Sequence, residues 1–198
     1  MNIQVLIPLK ALATAKQRLD PAVSVPSRRR LMLYMLGRTA EAARGSGVGP
    51  VALATSDPQA RELAAALGVD VVSDGGLAWN EGLVAALRSI QPLPDAVLYL
   101  SGDLPLVTAD DVLAFVRAAP APGAAIARAR DGGTNALLVR PALALVPLFG
   151  QQPSAIAHAR QAEDRGIAAR ILDIPGLALD VDTVDDLRAA RMARGRIR

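Results

Sequence analysis

The sequence predicts the α/β class, with a parallel sheet covered on both faces by helices. Three observations carry this. Short, almost wholly apolar runs of strand length alternate with longer stretches of helical periodicity, which is the pattern of βαβ units. The chain has 198 residues, room for one domain of ordinary size, and residues 1–198 are read as that domain. Hydrophobic residues make up 52% and aromatics only 3%, so the core must be built from Ala, Val, Leu and Ile, which suits close helix-on-sheet packing.

Each element follows from its local pattern. Ile3 to Leu9 is a short apolar run closed by Pro8 and Lys10, read as a buried strand that ends in a loop. Ser27 to Arg44 becomes helical, with Leu31, Tyr34, Met35 and Ala42 near one face, until GSGVGP breaks it. Val51 to Ser56 is a second strand. Asp57-Pro58 then starts a helix, with Asp as N-cap and Pro at the first helical position, running to Gly68. Val69 to Ser73 is a third strand, and Trp79 to Ile90 is helical up to the breaks at Pro92 and Pro94. Ala96 to Leu100 is a fourth strand. Thr108 caps a helix to Ala118, with Asp111 at its third position. Ala124 to Ala129 and Ala136 to Val139 read as two strands joined by RDGGT, and Thr183 caps a last helix.

Composition removes whole classes of chemistry. Cysteine is absent, which excludes disulfides, thiolate nucleophiles and zinc ribbons, and a single histidine rules out a histidine-rich metal site. The net charge of +3, with two Phe, two Tyr and one Trp in the whole chain, is not the composition of a nucleic-acid binder. No segment approaches the roughly twenty apolar residues of a membrane helix, and MNIQVLIPLK lacks the basic head and cleavage site of a signal peptide. A cytoplasmic location is therefore expected.

In an open parallel sheet, ligands bind beyond the carboxyl ends of the strands. After the first strand stands PLKALATAKQRLD, with cations at Lys10, Lys16 and Arg18 and no glycine before Gly37, so neither GxGxxG nor a Walker loop exists. Such a loop holds a phosphate chain by side-chain cations, if it is more than a solvated basic loop. After the fourth strand, Ser101-Gly102-Asp103-Leu104-Pro105 sets a carboxylate at the strand end, suited to a hard divalent ion that bridges phosphate oxygens or, more plainly, to capping a turn. Asp180 and Asp182 would point to the same side of an extended segment, although Asp182 also directly precedes the capping Thr183. Carboxylates without clustered histidines favour magnesium over zinc.

Weaker candidates complete the set. Asp131-Gly132-Gly133-Thr134-Asn135 allows close backbone approach and offers a hydroxyl and an amide, where a plain hairpin explains only the glycines. Gly150 and Ser154 precede a helix on which His158 shares a face with Ser154, an anion site at a helix start; His158 itself reads as structural or orienting. Asn80, beginning the third helix, could read a nucleobase edge.

Taken in order, P-L-K-A-L-A-T-A-K-Q-R-L, S-G-D-L-P-L, D-G-G-T-N-A-L, F-G-x-x-x-S-x-x-x-H and D-V-D-T-x-D-D-L span nearly the whole chain. Together they resemble the 2-phospho-L-lactate guanylyltransferase family of coenzyme F-420 biosynthesis, including its phosphoenolpyruvate-dependent members. The resemblance implies a glycosyltransferase-A-like nucleotidyltransferase fold, with a mixed, mostly parallel sheet between helices. It also implies that GTP and a small phosphoacid (2-phospholactate, phosphoenolpyruvate or 3-phosphoglycerate) give a guanylylated acid and pyrophosphate. By position, Asp103 and Asp180 or Asp182 match the family's metal-binding carboxylates, and Thr134, Gly150 and Ser154 the positions that hold the phosphoacid. Lys10, Lys16 and Arg18 match its basic loop facing the triphosphate. Ala11, Gln17 and Val184 depart from the residues usual there, and the segment from Gly150 to Ser154 is one residue longer.

The residues suit that chemistry. The acceptor's phosphate is already an anionic nucleophile, so no general base is needed; the difficulty is bringing two anions together in line at the α-phosphate, which cations and magnesium relieve. The alternatives are a related nucleotidyltransferase of molybdopterin or sugar-phosphate type, disfavoured by the missing glycine-rich first loop, and a non-catalytic GTP-binding module. Expected partners are GTP and the phosphoacid. The basic end Arg191 to Arg198 reads as a disordered tail, its alternative being a contact for the next enzyme of the pathway.

Overall fold

The computed structural model describes residues 2–9, 11–12, 15–151 and 153–195. Among these residues seven strands form one sheet: β1 (Ile3–Pro8), β2 (Val51–Ala54), β3 (Asp70–Val72), β4 (Ala96–Leu100), β5 (Gly123–Arg128), β6 (Thr134–Arg140) and β7 (Ala169–Leu172). Their spatial order is β3-β2-β1-β4-β6-β5-β7. The β3-β2-β1-β4 and β5-β7 pairings are parallel, and β6 runs against both β4 and β5. The sheet is thus mixed and mostly parallel, with β6 as its one reversed strand.

Among the described residues six α-helices cover it: α1 (Val25–Gly45), α2 (Pro58–Leu67), α3 (Trp79–Ser89), α4 (Ala109–Ala118), α5 (Ser154–Asp164) and α6 (Val184–Gly195). Alternate residues of the central strands feed two cores. Val5, Ile7, Leu53, Leu98 and Leu138 pack with α1, α2 and α4 on one face, while Leu6, Ala54, Tyr99, Ile126 and Leu137 pack with α3 and α5 on the other. A strand buried on both faces has no polar side to show, which is why these runs read as continuously apolar.

Caps set the helix starts. Asp57 Oδ1 accepts from Gln59 N and Ala60 N, with Pro58 in the first turn, and Gly68 closes α2 in the left-handed conformation at φ 62°. Thr108 and Asp111 form a reciprocal capping box on α4. Thr183 and Asp186 exchange the same pair of bonds at α6.

Three local expectations change. α1 begins two residues earlier than its periodicity suggested. Of its expected face Met35 and Ala42 are buried, together with Arg28, Met32, Leu36, Thr39, Ala40 and Ala43, whereas Leu31 is half-buried and Tyr34 is 44% exposed, because the buried i, i+3, i+4 series runs through Met32 and Leu36. β7 has no counterpart in the sequence reading: as an edge strand it pairs only with β5, so its exposed Arg170 and Ile171 carry no alternation signal. Among the described residues no helix is long and apolar enough to cross a membrane.

Candidate active site

The strand order makes the site. β1 and β4 are neighbours, yet the chain leaves β1 for β2 and β3 on one side and returns to β4 on the other, so the loops after them diverge and open a crevice at their carboxyl ends. Ser101 N still bonds to Asn135 O at 2.8 Å, prolonging the sheet as far as the turn. Gly102 lets the chain pass close to the core: a Cβ there would lie 3.0 Å from Leu36 Cδ1 and 3.3 Å from Ile7 Cγ2. Asp103 follows, and its backbone oxygen accepts from Val181 N at 3.4 Å, which lays the Asp180–Asp182 segment alongside.

Asp103, Asp180 and Asp182 consequently each turn one carboxylate oxygen into a group whose members lie within 4.8 Å of one another. Three hard oxygen donors of this kind fit a magnesium-like ion. A second observation agrees. Burial, reinforced by Asp103 and then Asp182, pushes the Asp180 carboxyl up to about 6, against a smaller opposing contribution from Asn135. Asp103 and Asp182 thus set like charge beside Asp180, which a divalent cation would offset.

Part of that compensation comes from Lys16. Its Nζ donates to Asp103 Oδ2 at 2.5 Å and to Asp182 Oδ1 at 2.7 Å, with the side chain only 7% exposed. Burial works to lower its pKa, but Asp103 and then Asp182 outweigh burial and hold the ammonium above the usual lysine range. Its backbone is left-handed at φ 56°, an uncommon conformation for a residue with a Cβ. Asp57 ties the same loop to α2, its Oδ2 accepting from Leu12 N at 2.9 Å.

Two adjoining cavities of about 250 and 290 Å³ open here. Pro8, Trp79, Ser101, Asp103 and Asp182 line both. One continues past Leu9, Ala15 and Lys16, and the other runs between Asp180 and the β5–β6 turn toward Thr134, Gly150 and Ser154. In the latter, Ser154 Oγ donates to Thr134 Oγ1 at 3.0 Å, and His158 Nδ1 lies 3.1 Å from the same oxygen.

The candidates therefore converge, with differences of role. Lys10 lies outside the described residues. Arg18 stands 76% exposed and reaches Asp182 only at 3.6 Å. Asn135 does not offer its amide protons to a ligand: Nδ2 bonds to Leu177 O at 2.9 Å and to Asp180 Oδ1 at 3.2 Å, so it positions Asp180. Asn80, expected to read a base edge, instead donates to Phe149 O and accepts from Phe149 N at 3.1 and 3.0 Å, which takes up both ends of its amide. That grip fixes the residue before Gly150, whose φ of 81° belongs to the region glycine favours. Trp79 and Ser101 were missed as lining residues. The signal was available, because Trp79 is the chain's only Trp, placed at a helix start, and Ser101 ends a strand beside Asp103.

A mostly parallel sheet that brings three carboxylates and a buried lysine beside a hydroxyl-lined cavity suits metal-assisted chemistry on phosphate groups. The chain belongs to the family described as "Guanylyl transferase CofC like", whose model matches residues 3–195. It is 37% identical over 190 residues to the phosphoenolpyruvate guanylyltransferase of Sphaerobacter thermophilus, covering 94% of this chain and 91% of that one. It is 38% identical over 190 residues to the 3-phospho-D-glycerate guanylyltransferase of Phenylobacterium zucineum, covering 91% and 85%. Among solved structures, a nucleotidyl transferase from Methanothermobacter thermautotrophicus superposes with a TM-score of 0.67 at 18% identity, covering 100% of this chain and 99% of that one, a likeness of fold. The chain is a guanylyltransferase.

Proposed function

We propose that residues 1–198 act as one nucleotidyltransferase domain that transfers GMP from GTP to a small phosphorylated carboxylic acid, with phosphoenolpyruvate the first acceptor to test and 3-phosphoglycerate and 2-phospho-L-lactate next. The product would feed coenzyme F-420 assembly. One observation carries the reading: the carboxylate trio and Lys16 share a crevice with the Thr134–Ser154 hydroxyl pair, so a cation-held triphosphate and a second anion can meet.

In this reading a phosphate oxygen of the acceptor forms a bond to the α-phosphorus of GTP, the bond from that phosphorus to the β-bridging oxygen breaks, and pyrophosphate leaves with the electron pair. Lys16 and Arg18 offset charge on the triphosphate, and Lys10 belongs to the same basic loop. Thr134, Ser154 and the backbone at Gly150 hold the acceptor. Magnesium, held by Asp103, Asp180 and Asp182, would supply Lewis-acid stabilisation of the developing phosphate charge. Asn135 keeps Asp180 in place, and Asn80 keeps Phe149 and Gly150 in place.

The test is pyrophosphate release from GTP with each of the three acceptors, with and without magnesium. Release with one acceptor, lost on chelation and in Asp103→Ala, is the expected result. GTP binding without release for any acceptor favours the non-catalytic module instead.

A further inference from the structure

His158 is the chain's only histidine, fully buried beneath the acceptor-side cavity, and the transfer described above gives it no part. Its proton can be placed from its partners. Leu148 N donates to Nε2 at 2.8 Å; a backbone amide can only donate, so Nε2 carries no proton. Burial pushes the ring down to about 4, against a smaller opposing effect of the Ser154 backbone, so at neutral pH the ring is uncharged and its one proton sits on Nδ1.

That proton faces Thr134 Oγ1 at 3.1 Å, with the Ser154 backbone carbonyl as a second acceptor, so toward the ring the hydroxyl oxygen accepts. The same oxygen accepts from Ser154 Oγ at 3.0 Å. With both lone pairs taken, Thr134 has only its own O–H left to give, and the cavity that Thr134 lines is where it can give it. Reversing the Ser154–Thr134 bond changes little, since two hydroxyls sharing one internal bond still present one proton outward. The opposite histidine tautomer would draw the Thr134 proton inward. The Leu148 amide prevents this.

We infer that His158 is a positioning residue whose tautomer, set by Leu148 N, makes the Thr134–Ser154 pair a hydrogen-bond donor toward the acceptor, so that this cavity selects a ligand group bearing only acceptor atoms, a carboxylate or phosphate oxygen. The inference rests on the reading that the phosphoacid binds in this cavity. It explains how two hydroxyls in a cavity that Asp131 and Asp180 also line can turn a proton toward one end of a small anion.

The experiment is steady-state kinetics with GTP and phosphoenolpyruvate on the wild type, His158→Gln, His158→Asn and Thr134→Val, with thermal unfolding followed in parallel. Gln can keep a partner for Leu148 N but not the donor to Thr134; Asn places an N–H near the position of Nδ1. His158→Gln should raise the phosphoenolpyruvate KM by about tenfold or more, with the GTP KM little changed, as expected when a hydrogen bond to a charged group is lost. His158→Asn should recover most of that loss. Thr134→Val should match His158→Gln, and the double variant should add nothing further. An unchanged phosphoenolpyruvate KM in His158→Gln overturns the inference, as does a rise in both KM values that tracks a fall in unfolding temperature. If His158→Gln does not fold, recovery in His158→Asn relative to His158→Ala decides, equal KM values counting against the inference. A wild type that releases no pyrophosphate with any acceptor fails the functional reading instead. The same comparison is then made on phosphoenolpyruvate binding, followed by Trp79 fluorescence, where affinities equal to wild type overturn the inference.

Discussion

Lys16 occupies the ground between two carboxylates that are also suited to a divalent cation, which makes it a built-in counterion for Asp103 and Asp182. An ammonium and a metal ion at the same oxygens compete. Lys16→Met is therefore expected to tighten Mn²⁺ binding several-fold in the absence of nucleotide while lowering turnover, and electron paramagnetic resonance titration of free Mn²⁺ checks it; weaker binding in the variant would count against competition. Asp180 gives a second prediction. Its folded pKa of about 6 lies above the ordinary carboxylate value, so the native state binds more protons than the unfolded chain between about pH 4 and 6, and stability falls as pH rises through that window. At pH 7 the charged Asp180 is a net cost. Asp180→Asn should raise the melting temperature of the metal-free protein at pH 7 by a few degrees, on the order of 1 kcal/mol, and added Mg²⁺ should stabilise the wild type more than the variant. Calorimetry on both proteins decides.

At the scale of elements, helix caps and loop anchors do more than end helices. Asp57 caps α2 through one oxygen and holds Leu12 N through the other, so a single carboxylate joins α2 to the loop that carries Lys16. Asp57→Ala is expected to cost about 1–2 kcal/mol of stability. It should also raise the GTP KM more than the acceptor KM, because the loop after β1 borders the cavity that continues past Lys16. Equal effects on both substrates would show that the anchor acts on the whole site. The loop before α5 is held the same way from two sides, by His158 at Leu148 N and Asn80 at Phe149, with the Phe149 ring edge-on to both Tyr99 and His158. Asn80 was legible in the sequence as a polar residue at a helix start. Its true partner was not, because that partner is a backbone 69 positions away.

Across the whole molecule, two buried titrations oppose each other on acidification. His158 is held at about 4, below its ordinary value, so the unfolded chain binds more protons between about pH 6.5 and 4, and stability is lost as pH falls through that window. Asp180 gains over much of the same range. The metal-free wild type should therefore show a shallow acid slope and Asp180→Asn a steeper one, measured as melting temperature from pH 7 to 4; parallel slopes would sink this account. Trp79 offers a whole-site reporter: as the only Trp and a wall shared by both cavities, its fluorescence should respond to GTP and to acceptor alike.

By itself the sequence determined the alternation of strands and helices, the caps at Asp57, Thr108 and Thr183, and the position of Asp103 just past a buried strand. These depend on propensity, periodicity and turn chemistry, all of which act within a few residues. Only the tertiary structure decided that β6 reverses between β4 and β5, since an apolar run buried on both faces looks the same in either direction. It also decided that Lys16 meets Asp182 across 166 positions, and that Asn80 and Asn135 hold protein groups. Such contacts arise when strand order brings distant loops to one end of a sheet, and no local rule encodes that order.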